Sequence, residues 1–471
     1  MNIAIVAPEA VPFIKSGGLA DVTGSLFSGL RRRKHDVSMF LPCYRGISDR
    51  YKLEVTLTGV KVHMGDRTYY YDVLSSGTSY FIKNDFFFNR DGLYGDLRGD
   101  FPDNAERFAF FCIAVLQTIK YLKMTPDIFH LNDWQAGLIP FYQHEMNMGP
   151  SKTRSVLTIH NSGYQGIFPA KVLPNLGIPA RYFTMDGLEF YGKVCLLKAG
   201  ILYADSIATV SPAYREEITS SELGYGLEGL LKAKGVVGIL NGIDYKLWDP
   251  AHDSALKSHY DKNSLKGKTL CKKDLCISSG LKDSSKPLMG VIGRFSAQKG
   301  YDLIAESLGE IADLGINMVI LGSGDLAIER SIKKVTDQYP GRTRLHIGFD
   351  DLLARRIYAG SDMFLMPSRY EPCGVAQMIA MRYGSVPLVR MTGGLTDTVK
   401  DYNPAHPDGN GFVFKHADSY SMVDCIKRAL CVYGNTDDWH TVTRNAMTAD
   451  FKWKKAIDAY LKLFSSLIGN A

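Results

Sequence analysis

Short apolar runs alternate with helix-period segments along nearly the whole chain, and that alternation limits the fold more than any other feature. A strand that is apolar throughout must be covered on both faces, and the amphipathic segments between the runs supply the cover. The pattern therefore predicts parallel sheets wrapped by helices. The runs fall at residues 3–7, 37–41, 128–131, 156–159, 207–210 and 236–240 in the first half, and at 288–292, 318–321, 345–347, 363–366 and 386–389 in the second. The predicted fold class is α/β, with two doubly wound Rossmann-like domains. A length of 471 residues agrees, because it exceeds what one core supports.

Turn chemistry at Asn241-Gly242-Ile243-Asp244 marks the boundary, giving a first domain at 1–243 and a second at 244–450. Residues 249–286 are rich in Lys, Ser and Asp and read as a linker. The last segment, 451–471, carries Trp453, Ile457, Tyr460, Leu461, Phe464 and Leu467 at helical spacing. Such an amphipathic helix has to bury its apolar face somewhere.

One phrase occurs twice, as Ser16-Gly17-Gly18-Leu19-Ala20-Asp21 and as Thr392-Gly393-Gly394-Leu395-Thr396-Asp397. Each copy follows an apolar run and leads into a helix, so each reads as a turn whose free backbone N–H groups suit an anion. Lys15 adds a cation to the first copy, while Met391 holds that place in the second. A solvent-exposed glycine turn with an idle lysine is the bland alternative. The spacing is not that of a Walker loop.

In open parallel sheets ligands bind outside the carboxyl ends of the strands, which directs attention to the residues following each run. Arg294 and Lys299 flank the loop after 288–292, where two cations suit a departing diphosphate or form an ordinary surface loop. Glu371 lies in PSRYEPCG just before a helix, with the Cys373 and Gly374 amides beside it. A carboxylate there accepts sugar hydroxyls or complements the helix dipole. Cys373 reads as a packed thiol, since no histidine lies near it to activate it. Gly322-Ser323-Gly324 lacks a third glycine at 327 and reads equally as a tight turn. His160-Asn161 and Asp133-Trp134 end two strands of the first half. Within the aromatic stretch at 81–96, Tyr94 is the ring expected to face ligand, most of its Phe residues going to the core. Both halves thus carry their polar residues on one edge, and a cleft between the two edges is the default site.

Composition narrows the function. A net charge of +6 comes from acids and bases that are mixed along the chain, which gives no ground for a nucleic-acid partner; the one basic run, 31–34, falls at a helix end where cations suit the dipole. The longest apolar stretch, 108–115, is far short of a membrane span. The eight cysteines form no CxxC pair and residues 1–7 lack the basic flank of a targeting segment, so reduced thiols in a cytoplasm are expected. No Asp-x-Asp pair and no His/Cys cluster at ligand spacing occurs, so neither a metal nor a cofactor is expected.

Taken together, KSGGLADV at 15, GLYGD at 92, NDWQAG at 132, TIHNSGYQG at 158, TVSPAY at 209, GYGLEGLL at 224, NGID at 241, GRFSAQKG at 293, SRYEPCG at 368 and TGGLTDTV at 392 resemble, in order and over the full length, the bacterial glycogen synthases and plant starch synthases. These are retaining, metal-independent glucosyltransferases of the GT-B class. The resemblance implies ADP-glucose as donor substrate, the non-reducing end of an α-1,4-glucan as acceptor, hinge closure, and a terminal helix returning to the first domain. It implies that Lys15 and the Gly17-Gly18 turn meet the distal phosphate, and that Arg294 and Lys299 hold the diphosphate. Glu371 with Cys373 and Gly374 orients the glucose, and Thr392-Gly393 lines the phosphates. His160 and Asn161 sit over the sugar, with Asp21 and Asp133 toward the acceptor.

The chain has Ser16 where the family usually has Thr, Asn132 where it often has His, and Ile379 where neighbouring families carry a second glutamate. A plastid location applies if the chain is a processed plant or algal enzyme, and monomer and homo-oligomer are both open. Two competing readings remain: a transferase of the same architecture using a UDP-sugar or another acceptor, and a non-catalytic glucan-binding protein.

Overall fold

A computed structural model describes residues 1–96, 99–220 and 222–469, which divide into two compact units: 1–239 with 453 onward, and Leu240–Lys452. The first unit is built on one sheet of nine strands. In chain order they are β1 (Asn2–Val6), β2 (Asp36–Pro42), β3 (Glu54–Met64), β4 (Arg67–Ser76), β5 (Ser79–Lys83), β6 (Ile128–Asn132), β7 (Arg154–Ile159), β8 (Ser206–Thr209) and β9 (Val236–Gly238). Their order across the sheet is β9-β8-β7-β6-β1-β2-β5-β4-β3. Every pairing is parallel except β4 with β5 and β3 with β4. The strand order reverses between β1 and β6, so a crevice opens at the ends of those two strands.

The meander β3-β4-β5 is absent from the pattern of wholly apolar runs. Val60, Val62 and Met64 are buried while Lys61 and His63 between them are exposed, the period-two signature of a half-solvated antiparallel strand. Register shifts after Val55 and Leu57 break that period in the first half of β3.

Helix α1 (Gly18–Arg32) buries Val22, Leu26 and Leu30, and α2 (Asn104–Tyr121) is buried on nearly all sides, which explains the apolar stretch at 108–115. The C-terminal helix, Trp453–Ile468, packs Trp453, Ile457, Tyr460 and Phe464 against Ile3, Ile5, Val22, Leu26 and Leu30. Its apolar face therefore completes the core of the first unit, each fully buried large side chain contributing roughly 1.5–3 kcal/mol.

The second unit carries six parallel strands: β10 (Leu288–Ile292), β11 (Asn317–Gly322), β12 (Thr343–Ile347), β13 (Met363–Met366), β14 (Val386–Arg390) and β15 (Phe412–Phe414), in the order β12-β11-β10-β13-β14-β15. Its reversal falls between β10 and β13. Helix α3 (Tyr301–Asp313) follows β10, α4 (Ala376–Arg382) follows β13, and the short α5 (Gly393–Thr398) follows β14.

The expected linker at 249–286 is not a linker. Lys266–Ser278 is a helix of the second unit, and Asp253, Tyr260, Lys268, Cys271 and Leu275 are buried. Six of its eight lysines are exposed, but Lys268 and Lys272 are buried and hold internal partners. Lys268 Nζ donates to the carbonyls of Ala359, Ser361 and Tyr383, and Lys272 pairs with Asp362 at 2.7 Å. Burial among those carbonyls, where the charge is costly, lowers the Lys268 pKa to about 8. All eight cysteines are free. None of the described helices is long and apolar enough to cross a membrane.

Candidate active site

The switch points of the two sheets collect the polar residues singled out from the sequence. In the first unit, the segment after β1 turns back on itself and places Glu9 under the Lys15-Ser16-Gly17 turn. Glu9 is only 4% exposed. Its carboxylate accepts from the backbone N–H of Ser16 (2.5 Å) and of Gly17 (3.3 Å), from the Ser16 hydroxyl (3.0 Å) and from the Tyr94 hydroxyl (3.2 Å). This corrects the reading of the turn as a set of free amides, because two of them already hold an internal anion. The Tyr94 hydroxyl donates to Glu9, and its ring leans on Phe108 with 6.0 Å between centroids.

Among the described residues the amide of Gly18, at the start of α1, a helix with no side-chain cap, has no partner, and Lys15 stands beside it. Lys15 pairs with Asp21 at 2.7 Å, but both side chains are about two-fifths exposed. Such a pair is worth less than about 1 kcal/mol, so it binds Lys15 only weakly.

Beside the turn, Asp133 follows β6 with φ +56 and ψ −174, a conformation seldom taken by residues other than glycine. Its carboxylate accepts the His160 backbone N–H at 2.7 Å, and burial, helped by the nearby Glu9, pushes its pKa up to about 7. His160 Nε2 lies 2.9 Å from Asn132 Oδ1, and burial lowers the ring's pKa to about 3. Asn161 Oδ1 accepts from the Gly163 N–H in a local turn. Lys15, Gly17, Gly18, Asp21, Tyr94, Asp133, His160 and Asn161 thus cluster at the ends of β1, β6 and β7. Glu9 escaped the sequence reading although it follows the first strand, where the strand-end rule points.

In the second unit, the loops after β10 and β13 lock together. Lys299 Nζ donates to both oxygens of Glu371, at 2.6 and 2.8 Å, and the Ser368 hydroxyl donates to Glu371 Oε2 at 3.0 Å. The Glu371 side chain is 6% exposed and that of Lys299 27%. Arg369 staples the two loops by a two-pronged pair with Asp302 of α3 (2.6 and 2.7 Å) and by a bond to the Ala297 carbonyl (2.8 Å). Arg390 fixes the same loop through the Ser368 carbonyl at 2.8 Å. Arg294 stands at the mouth of the first loop, with Nη2 3.5 Å from Gln298 Oε1.

Cys373 is a buried thiol pushed up to about 12 by desolvation, which rules it out as a nucleophile near neutrality. The backbone amides of Cys373 and Gly374, by contrast, have no partner among the described residues. At the second copy of the duplicated phrase, the Gly394 N–H is taken by the carbonyls of Glu371 and Pro372 (3.1 and 3.2 Å). That turn therefore lies against the Glu371 loop instead of presenting a full set of free amides, and Thr392 and Gly393 are buried there. Phe349, two residues past β12, was not singled out from the sequence. It is 87% exposed on the same edge, where Gly348 N–H bonds to the Gly322 carbonyl. Among the described residues, no group of three or more His, Cys, Asp or Glu is placed to hold a metal ion.

The buried titratable groups set opposing pH dependences. His130 and His160 are both held near a pKa of about 3, by burial and, for His130, by the neighbouring His160, against 6.5 when free. The unfolded chain takes up their protons first, so their contribution is complete above pH 6.5 and is lost as pH falls toward 3. Asp133, raised from 3.8 to about 7, acts the other way. The folded state keeps its proton longer, and stability falls as pH rises from 4 to 7, by up to ~1.4 kcal/mol per unit. Asp133→Asn removes that loss. Urea midpoints should match wild type near pH 4, exceed it increasingly toward pH 7, and hold a constant excess above.

Residues 2–233 match a family model described as the starch synthase catalytic domain, and residues 273–439 one described as glycosyl transferases group 1. A glycogen synthase from Syntrophotalea carbinolica is 43% identical over 480 residues, covering 99% of each chain. One from Koribacter versatilis is 42% identical, covering 98% of each. Among solved structures, the catalytic domain of starch synthase IV from Arabidopsis thaliana, bound to ADP and acarbose, superposes with a TM-score of 0.90 at 32% identity, covering 99% of each chain. A sucrose-phosphate synthase from Thermosynechococcus elongatus, at 18% identity and a TM-score of 0.62 over the whole of both chains, shares the fold alone. By full-length identity and by fold, this chain belongs to the glycogen and starch synthase family.

Proposed function

We propose that the protein transfers glucose from ADP-glucose to the 4-hydroxyl at the non-reducing end of an α-1,4-glucan, with retention of configuration and without a metal. The observation that carries this reading is the Lys299–Glu371 pair, its carboxylate buried, at the switch point of the second sheet, in a chain 43% identical from end to end to a glycogen synthase. The C1–O bond of the donor breaks with its electron pair passing to the diphosphate. The acceptor oxygen bonds to C1 and its proton leaves with the ADP. Charge thus develops on the diphosphate, where Lys299 and Arg294 of the second unit stabilise it; in the first unit, Lys15 and the Gly18 amide are the groups suited to a phosphate.

Glu371 is held by Lys299 and Ser368 but keeps lone pairs for sugar hydroxyls, and the Cys373 and Gly374 amides supply two donors beside it. Thr392 and Gly393 shape the phosphate side of that loop. In the first unit His160 and Asn161 meet the sugar, and Asp133 and Asp21 belong to the acceptor side. The working domain division is 1–243 and 244–450, with 451–471 returning to the first. The free thiols fit a cytoplasmic enzyme.

A panel of ADP-, UDP- and GDP-glucose with an unbranched glucan primer tests the reading. Labelled glucose should enter glucan from ADP-glucose, as the α-anomer by NMR, at a rate that EDTA leaves unchanged. Incorporation from UDP-glucose alone, or none into glucan, sinks it. The exposed Phe349 ring offers a flat apolar face for stacking a nucleobase. Phe349→Ala should raise KM for the donor about 10-fold while kcat stays within about 3-fold, an affinity loss on the scale of one aromatic contact.

A further inference from the structure

Asn132, the last residue of β6, is fully buried and bridges the ends of three adjacent strands. Its side-chain nitrogen lies 3.1 Å from the Val6 carbonyl at the end of β1 and 3.3 Å from the His130 carbonyl, while its oxygen lies 2.9 Å from His160 Nε2, just beyond β7. The orientation of this amide is fixed by chemistry. Two carbonyl oxygens at one end require the NH₂ group there, since the flipped amide would set three acceptors against one another. The end facing His160 is therefore an acceptor, and Nε2 must carry the proton. His160 is held a second time by its backbone N–H on Asp133.

We propose that Asn132 is a positioning residue that locks His160 in the neutral Nε2–H tautomer, so that Nδ1 is presented to the substrate as an acceptor for a hydroxyl and not as a donor to a phosphate. The inference rests on the sugar-transfer reading for the identity of that substrate, but not for the tautomer. Nδ1 has no partner among the described protein residues. The titratable groups around the ring are Asp133, His130 on β6, and Glu9, which faces Asp133. None of them donates a hydrogen bond to the ring. Burial keeps the ring uncharged through the physiological range, which preserves the acceptor.

The wild-type protein supplies the first test. In ¹⁵N-histidine-labelled protein, the His160 resonance, identified by its loss in His160→Gln, should show a protonated Nε2 and a bare Nδ1 that does not titrate above pH 5. An Nδ1–H tautomer, or titration near pH 6.5, overturns the proposal. Asn132→Leu fills the space without the acceptor and should leave the His160 tautomer mixed. Its kcat should fall at least 10-fold with KM for the donor within about 3-fold, and unchanged tautomer and kcat overturn the proposal. Asn132→Asp places a carboxylate against Nε2, which favours the imidazolium. If it folds, its rate should acquire an acidic limb between pH 6 and 8 that wild type lacks; a folded variant with an unchanged profile counts against the lock. A correct tautomer in a protein that does not glucosylate glucan retires the sugar-transfer reading and leaves the positioning role standing.

Discussion

Lys299→Ala is expected to leave the protein folded and to reduce kcat with ADP-glucose and glucan by at least ~100-fold, the loss that follows from removing one contact to charge developing in the transition state. The geometry makes the effect larger than that of losing a surface lysine. In the proposed reaction Lys299 supplies a positive charge where the diphosphate departs, and in the structure it orients the Glu371 carboxylate by donating to both of its oxygens. The truncation therefore removes the charge and releases the carboxylate proposed to hold the sugar.

Lys299→Ala leaves Glu371 buried with the Ser368 hydroxyl as its remaining side-chain partner, so stability should drop too, by up to roughly 3 kcal/mol for a buried charge left unpaired. Glu371→Ala should match the loss of kcat with a smaller loss of stability, because Lys299 is the more exposed member. The double variant separates the two effects: its melting temperature should recover toward wild type while its activity does not. Single variants within about 3-fold of the wild-type rate would remove both residues from the reaction.

The way the site is assembled shows what a sequence reveals and what it conceals. Strands covered on both faces announce themselves by composition, and the nine-stranded and six-stranded sheets contain every apolar run read from the chain. β3 and β4 were concealed because half their side chains face water and two register shifts disrupt the alternation. β15, three residues long, is too short for any periodicity. The 249–286 segment misled because its many exposed lysines mask the buried Tyr260, Cys271 and Leu275 and the two lysines held inside, Lys268 by carbonyls and Lys272 by Asp362.

The strand-end rule brought forward residues that the structure gathers at the switch points, but not their partners. Lys299 and Glu371 are far apart in sequence, and only the parallel adjacency of β10 and β13 makes them neighbours. Glu9 is the sharper lesson. A turn rich in free amides attracts any buried carboxylate within reach, and here one stands a few residues upstream.

The loops after β10 and β13 approach each other closely at Gly300, and Gly300→Ala is the second change expected to have a large effect. Gly300 caps the start of α3 with φ +71, and a Cβ built there would stand 2.1 Å from the Pro367 carbonyl oxygen. Two costs are superposed. The left-handed conformation disfavours alanine by about 1–2 kcal/mol, and the clash with backbone forces the 294–300 loop away from the loop that carries Ser368, Arg369 and Glu371. Gly280 isolates the first cost, since it lies in the same unit at φ +69 with nothing within 4 Å of its virtual Cβ. Gly280→Ala should lower the unfolding free energy by that first amount and leave kcat intact. Gly300→Ala should lose more stability and at least ~10-fold in kcat, because a displacement of about 1 Å is enough to spoil a near-attack geometry. Equal thermal and kinetic effects of the two substitutions would mean that the close approach to Pro367 does not hold Lys299 in place. A larger kinetic loss at Gly300 alone ties the Lys299–Glu371 pair to the packing of these two strand-end loops.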